Sequence, residues 1–306
     1  MPSRFTRRTF LALSMTTAGA VILPNLLQAA TKTTSPEALN LTSKQVRLNN
    51  GITLYYVEKQ NRNQDQDVII FLHGYTDSWH SFERNLPLLS NHRIIAIDQR
   101  GHGNSSHPSC CYNQADFAAD VDAFMTALGI KKATLVGHSM GGFIAHKVAV
   151  DYPHRVQRLV LIGAAPTAAG NPVVEGLNDA VQALIDPIDP NFVREFQAST
   201  FYKPIPPKFL DTAVSESLKV PLMVWKQTSA GLIVEDHSTQ LKNIKVPTLI
   251  LWGDQDGIFT LHEQRRLKKL IPNSMLRIYP QAGHGLHVEF PRGFVQDLEK
   301  FMKKYS

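Results

Sequence analysis

The sequence predicts an α/β fold: a mostly parallel central sheet with helices on both faces and a helical cap inserted before the last strands. Three observations predict it. Short apolar runs, "DVIIFLHG", "HRIIAIDQRG", "KATLVGHS" and "VQRLVLIGAA", alternate with helical stretches such as "ADFAADVDAFMTALG" and "GGFIAHKVAVDYP". Strands buried on both faces read as continuous apolar runs, and helices between them make the strands parallel with right-handed crossovers. The rhythm stops after Pro166; about 75 residues rich in proline and helical pattern intervene before "VPTLILWGD" resumes it. Finally, a chain of 306 residues, 43% of them hydrophobic, buries one substantial core with room for such an insertion.

In chain order, the first element stands outside the fold. "SRFTRRTFLAL" places two adjacent arginines ahead of a modestly apolar run, Thr9 to Leu27, that ends near "LLQAA". Residues 1–30 resemble a twin-arginine export signal, matching its Ser/Thr-Arg-Arg-x-Phe-Leu pattern at Thr6, Arg7, Arg8, Phe10 and Leu11. The resemblance implies that twin-arginine translocation machinery carries the folded protein to the periplasm or beyond, with a cut after Ala29 or Ala30. A membrane anchor is the competing assignment. A spanning helix needs about 20 predominantly apolar residues, whereas this run holds Ser14, Thr16, Thr17 and Gly19 and meets Pro24, so no stable membrane insertion is expected after cleavage. The same head carries Arg4, Arg7 and Arg8, three charges of the formal net +6. The remaining basic residues are scattered among acids, the pattern of solvated helix faces, and no nucleic-acid partner is expected.

Residues 31–43 are polar and read as a linker. "KQVRL" and "ITLYYVEK" alternate and flank "NNG", residues that favour positive φ in a tight hairpin. From there the first part of the core extends to residue 166, with a helix expected after each buried strand. Residues 167–241 form the predicted helical cap, and 242–306 the second part of the core, ending in a helix near Phe290 to Lys303. Cys110 and Cys111 are adjacent in a polar loop and are the only two cysteines. They exclude a disulfide framework, and leave a vicinal disulfide, free thiols or pairing between chains open.

The chemistry is carried by "VGHSMGG", Val136 to Gly142, where a strand becomes a helix. A sharp turn there holds its apex residue in a strained conformation, and its neighbours two positions away must be small, as Gly137 and Gly141 are. The turn raises Ser139 above the carboxyl ends of the strands, and the following helix presents its N-terminus to a developing oxyanion. A serine nucleophile needs a base, and the base needs an orienting group. "GDQDGIF" and "AGHGLHVEFP" follow the next two strands, so an acid and His284 stand at their carboxyl ends.

With "FLHGY" at Phe71 to Tyr75 and "DQRGHGNS" at Asp98 to Ser105, these motifs resemble the α/β-hydrolase superfamily, in its capped esterase, lactonase and haloperoxidase-like branch. The similarity runs from about Leu48 to Phe301. It implies Ser139 as nucleophile and His284 as base. Of the two acids in "GDQD", it favours Asp256 as the orienting acid, three residues after Gly253, and leaves Asp254 to hydrogen-bond the turn. It further implies backbone N–H groups of Tyr75 and Met140 as the oxyanion hole. Aspartate-nucleophile chemistries are disfavoured by Ser139. The implied reaction is hydrolysis of a small-molecule ester or lactone through an acyl-enzyme, without cofactor or metal. Cofactor-free perhydrolysis and carbon–carbon bond hydrolysis use the same triad, and a non-catalytic binding protein would have a damaged one.

The other candidates carry less. "DQRGHGNS" shapes a turn, and Gly101-x-Gly103 lacks the third glycine of a dinucleotide fingerprint, with Ser106 in its place. His102 and His138 fall in turns, where packed histidines are common. His284, His287 and Glu289 lack the His-Glu-x-x-His spacing of a metal site. In the cap, Trp225 and Met223 are candidate substrate contacts.

Overall fold

The computed structural model describes residues 33–59, 67–89 and 92–306; the export signal read in residues 1–30 lies outside them. Eight strands are β1 (Thr42–Arg47), β2 (Thr53–Lys59), β3 (Val68–Leu72), β4 (Arg93–Ile97), β5 (Ala133–His138), β6 (Val156–Ile162), β7 (Thr248–Gly253) and β8 (Ser274–Tyr279). They form one sheet in the order β1-β2-β4-β3-β5-β6-β7-β8. β1 and β2 pair antiparallel, as do β2 and β4, and the six strands β3 to β8 run parallel. The first pair is a hairpin whose turn closes through Leu48 and Ile52, with Gly51 at φ 86°.

Burial explains the continuous apolar runs. Alternate residues of one strand point to opposite faces, and both faces are covered. Ile70, Leu72, Ile95, Leu135, Leu161 and Ile250 belong to one buried cluster. Their strand neighbours Ile69, Phe71, Ile94, Val136, Ile162 and Leu251 belong to the other. The first cluster is closed by α1 (Gln114–Ala127) and α2 (Met140–Asp151), through residues such as Phe124, Phe143 and Val148. The second is closed late in the chain, by Phe294, Leu298 and Phe301 of the terminal helix Pro291–Lys304.

Between β6 and β7 lie α3 (Pro172–Gln182), α4 (Pro190–Ser199), α5 (Pro207–Lys219) and α6 (Leu222–Val234). Proline opens the first three, where its missing N–H costs nothing and its fixed φ suits the first turn. Asn171 and Asp189 cap α3 and α4 by accepting backbone N–H groups at 2.9 Å. After β7 come α7 (Leu261–Leu270), started by a Thr260–Glu263 capping box, and after β8 the short α8 (Leu286–Glu289) and α9 (Pro291–Lys304).

Two expectations are corrected. Among the described residues the β3–β4 crossover holds only 3₁₀ turns, Trp79–Phe82 and Leu86–Leu88, in place of a helix. Pro87 interrupts any continuous ladder, and the Trp79 N–H is taken by Asp98 at 2.8 Å. At the other end, β1 begins at Thr42 and Leu41 is buried against the sheet, so the chain is anchored before the linker reading of 31–43 ends. The sulfurs of Cys110 and Cys111 are joined as a vicinal disulfide.

Candidate active site

Ser139 stands between β5 and α2 with φ 52° and ψ −119°. Backbone of this kind costs a non-glycine residue about 1–3 kcal/mol and persists only where the surroundings enforce it. They do so here: the Ser139 N–H donates to the Ile162 carbonyl at 2.9 Å, and its own carbonyl accepts from Gly142 at 2.8 Å and Phe143 at 3.2 Å. A Cβ on Gly137 would collide with the Gly141 carbonyl, and one on Gly141 with the Leu72 carbonyl. The two glycines therefore permit the close approach that lifts Ser139 out of the core. The serine keeps accessible surface between two buried neighbours and lines a cavity under the cap.

His284, in the turn after β8, lines the same cavity. Its Nδ1 is 3.0 Å from Asp256 Oδ2, and the side chains are 2% and 0% exposed. The other oxygen of Asp256 accepts the backbone N–H groups of Ile258 at 2.8 Å and Phe259 at 3.1 Å. Both carboxylate oxygens are thus engaged, which fixes the carboxylate against the imidazole and leaves the Nε2 edge for other partners. Asp254 is exposed; its Oδ1 accepts the Gln281 N–H at 2.7 Å, tying the β7 turn to the β8 turn. Ser139 and His284 share the cavity wall without a hydrogen bond between them, a looseness common in unliganded sites. Tyr75 and Met140 line the cavity too, and neither backbone N–H has a partner among the described residues.

The cavity encloses about 870 Å³, its mouth included. Most of its wall is apolar, with Phe143, Val174, Leu177, Leu232, Ile258 and Phe259 prominent. Polar side chains also reach it, among them Asp77, Ser81, Gln197, Glu216 and His287, but no Lys or Arg among the described residues lines it.

Trp225 and Met223 do not line it, which corrects their reading as substrate contacts. Trp225 is fully buried; its indole N–H donates to the Ser217 carbonyl at 3.2 Å, and its ring packs edge-on against Tyr75 and Phe196. Its carbonyl accepts the Tyr75 hydroxyl at 2.7 Å. Trp225 thus backs the wall and does not form it. Met223 is half-buried and packs on the same apolar cluster.

His138 does more than fill a turn. Its buried ring lies 4.9 Å from that of His284 and 4.4 Å from that of His287, and burial first, then the neighbouring histidines, holds it well below the usual histidine range. Burial, aided by His284, pushes His287 down to about 3. Glu289 does not line the cavity; it accepts the Tyr202 N–H at 2.7 Å and the Gly283 N–H at 3.1 Å. Of "DQRGHGNS", Asp98 takes the N–H groups of Trp79 and Asn104, His102 bonds the Arg100 carbonyl, and Arg100 pairs with Asp120 at 2.6 Å. None of the three lines the cavity.

Asp77 and His287 are among the wall residues that sequence reasoning did not assign. The available signal for Asp77 was its position, two residues beyond Tyr75 on the loop after β3.

A family model described as alpha/beta hydrolase fold matches residues 67–291. The chain is 30% identical over 275 residues to the 2-hydroxy-6-oxononadienedioate/2-hydroxy-6-oxononatrienedioate hydrolase of Paraburkholderia phymatum, covering 85% of this chain and 96% of that one. It is 27% identical over 276 residues to the non-heme chloroperoxidase of Streptomyces lividans, covering 84% and 99% respectively. Among solved structures, an esterase from Exiguobacterium antarcticum superposes with a TM-score of 0.78 at 24% identity, over 86% of this chain and 100% of that one. With the family model spanning most of the chain and a hydrolase relative matched along nearly its whole length, this protein belongs to the α/β-hydrolase family and is an enzyme of it.

Proposed function

We propose that the protein hydrolyses uncharged or cationic carboxylic esters or lactones of small to medium size through an acyl-enzyme. The observation that carries this reading is the positive-φ Ser139 on one cavity wall with His284, whose Nδ1 meets Asp256 at 3.0 Å. Ser139 Oγ attacks the acyl carbon and its proton passes to His284 Nε2, while Asp256 holds the ring and balances the imidazolium. The oxyanion faces the N–H groups of Tyr75 and Met140. Collapse of the tetrahedral species expels the alcohol, which takes the proton from His284. Water then repeats the sequence and frees the acid; in a lactone the alcohol stays tethered.

One observation separates this reading from carbon–carbon hydrolysis of a dicarboxylate, the activity in the name of the Paraburkholderia relative. A substrate carboxylate would enter a wall that holds Asp77 and, among the described residues, no Lys or Arg. Burying an unpaired carboxylate there costs several kcal/mol, about a hundredfold or more in kcat/KM. The test is a panel of p-nitrophenyl esters of increasing acyl length, lactones and a vinylogous dicarboxylate. Hydrolysis of the uncharged esters is expected to exceed cleavage of the dicarboxylate by that factor. Efficient dicarboxylate cleavage with inert esters would reverse the choice.

We further propose export by the twin-arginine route, on the strength of the match from Thr6 to Leu11. Replacing Arg7 and Arg8 together with lysine is expected to leave the uncleaved precursor in the cytoplasm of the producing cell. Fractionation that still finds the shortened form outside the inner membrane would end the proposal.

A further inference from the structure

We propose that Asp77 sets the specificity of the cavity by selecting ligands that carry an alkylammonium group. The inference deepens the ester-hydrolase reading, but its binding step stands independently of the reaction.

Asp77 is half-buried and keeps accessible surface toward the cavity that Ser139 and His284 share. Its Oδ1 accepts from Gln197 Nε2 at 3.0 Å and its Oδ2 from the Ser81 hydroxyl at 3.3 Å. Gln197 is pinned by a second bond to Ser217 Oγ at 2.8 Å. Ser81 Oγ also lies 3.3 Å from His287 Nε2. A neutral His287 with its proton on Nε2 donates to Ser81, which frees the serine proton for Asp77. That tautomer makes His287 Nδ1 an acceptor, and this buried nitrogen on the cavity wall has no partner among the described residues.

The carboxylate therefore receives two donors, whereas an ionised carboxylate offers about four acceptor sites. No ion pair engages Asp77 among the described residues, while the other acid on the wall, Glu216, is neutralised by Lys219 at 2.6 Å. An uncompensated charge in a largely apolar cavity is what a cationic donor satisfies best, through a charge-assisted hydrogen bond. The protein holds this charge at some cost. Burial, opposed by the bonds from Gln197 and Ser81, pushes the Asp77 carboxyl up to about 6, so it is ionised at pH 8 and largely neutral at pH 5.

The experiment measures binding of hexylammonium, 1-hexanol and hexanoate to the mature enzyme by calorimetry at pH 8 and pH 5, with Asp77→Asn alongside. At pH 8 hexylammonium is expected to bind about tenfold or more tightly than hexanol, and hexanoate most weakly. Asp77→Asn keeps the acceptor for Gln197 and should abolish the difference. The preference should also disappear in the wild type at pH 5. Other groups face Asp77: His284 from the β8 turn, Glu216 with Lys219 from α5, His287 from α8 through Ser81, and His80 with Glu83 on its own loop. All of these persist in the variant, so a pH effect present in the wild type and absent from Asp77→Asn belongs to Asp77. Equal binding of amine and alcohol at pH 8, a preference surviving in the variant, or one unchanged at pH 5 would each overturn the proposal. None of these readouts needs an ester to be cleaved, so failure of the ester-hydrolase reading would register separately.

Discussion

Ser139→Ala is expected to lower kcat for ester hydrolysis by about 10⁶, the typical loss when a triad nucleophile is removed, while the thermal midpoint stays close to that of the wild type. The second half follows from the geometry. Ser139 Oγ makes no hydrogen bond among the described residues, and alanine meets the same backbone constraint at φ 52° that serine already meets. Nothing that holds the elbow is lost, because the bonds from Ile162, Gly142 and Phe143 all involve the Ser139 main chain. The measurement is kcat on a p-nitrophenyl ester beside a melting curve. A purified variant that kept a tenth of wild-type activity would exclude the acyl-enzyme; a large fall in midpoint would show that the serine side chain has a structural role.

Asp256→Asn should cost about 10³ to 10⁴ in kcat, again with a modest effect on folding. Its Oδ1 can continue to accept from Ile258 and Phe259, but an amide nitrogen would replace the oxygen now 3.0 Å from His284 Nδ1. That nitrogen donates, so Nδ1 must become an acceptor and the ring proton moves to Nε2. There it blocks the nitrogen that has to receive the serine proton, and the imidazolium loses its counter-charge. Asp254→Asn supplies the contrast: the Gln281 N–H keeps an acceptor, and the change should stay within about 1 kcal/mol of stability with kcat nearly unaltered. Kinetics on both variants decide the matter, and a loss confined to Asp254→Asn would transfer the orienting role to that residue.

How legible these features were in the sequence depended on how local their causes are. The sheet was readable because its inner strands, β3 to β7, are covered on both faces and so write themselves as unbroken apolar runs. Ser139 was readable because its conformation demands glycines at fixed offsets. The cap resisted at Trp225 because α6 is apolar on nearly every side, "LMVW" at one end and "AGLIV" at the other; without an amphipathic stripe, periodicity cannot say which side chain faces a cavity. The crossover after β3 misled because a parallel connection usually contains a helix, and Asp98, on the next strand's far side, captures the Trp79 N–H instead. Asp77 had no local signature beyond its place two residues after Tyr75. Its meaning comes from Gln197, 120 residues later in the chain, a distance over which no motif reads.

The hydrogen bond from the Tyr75 hydroxyl to the Trp225 carbonyl makes the insertion less interchangeable than its boundaries suggest. Caps are attractive units for chimeras, since a catalytic base of strands and turns is left intact when a foreign helical lid is grafted on. Here the loop that carries the Tyr75 N–H is fastened to the lid by that bond at 2.7 Å and by the edge-on packing of the two rings. A graft lacking a carbonyl at that point would strand a buried phenol and release the loop beneath it. Recombination of this scaffold with its relatives therefore has to treat Tyr75 and its acceptor in α6 as a single inherited part.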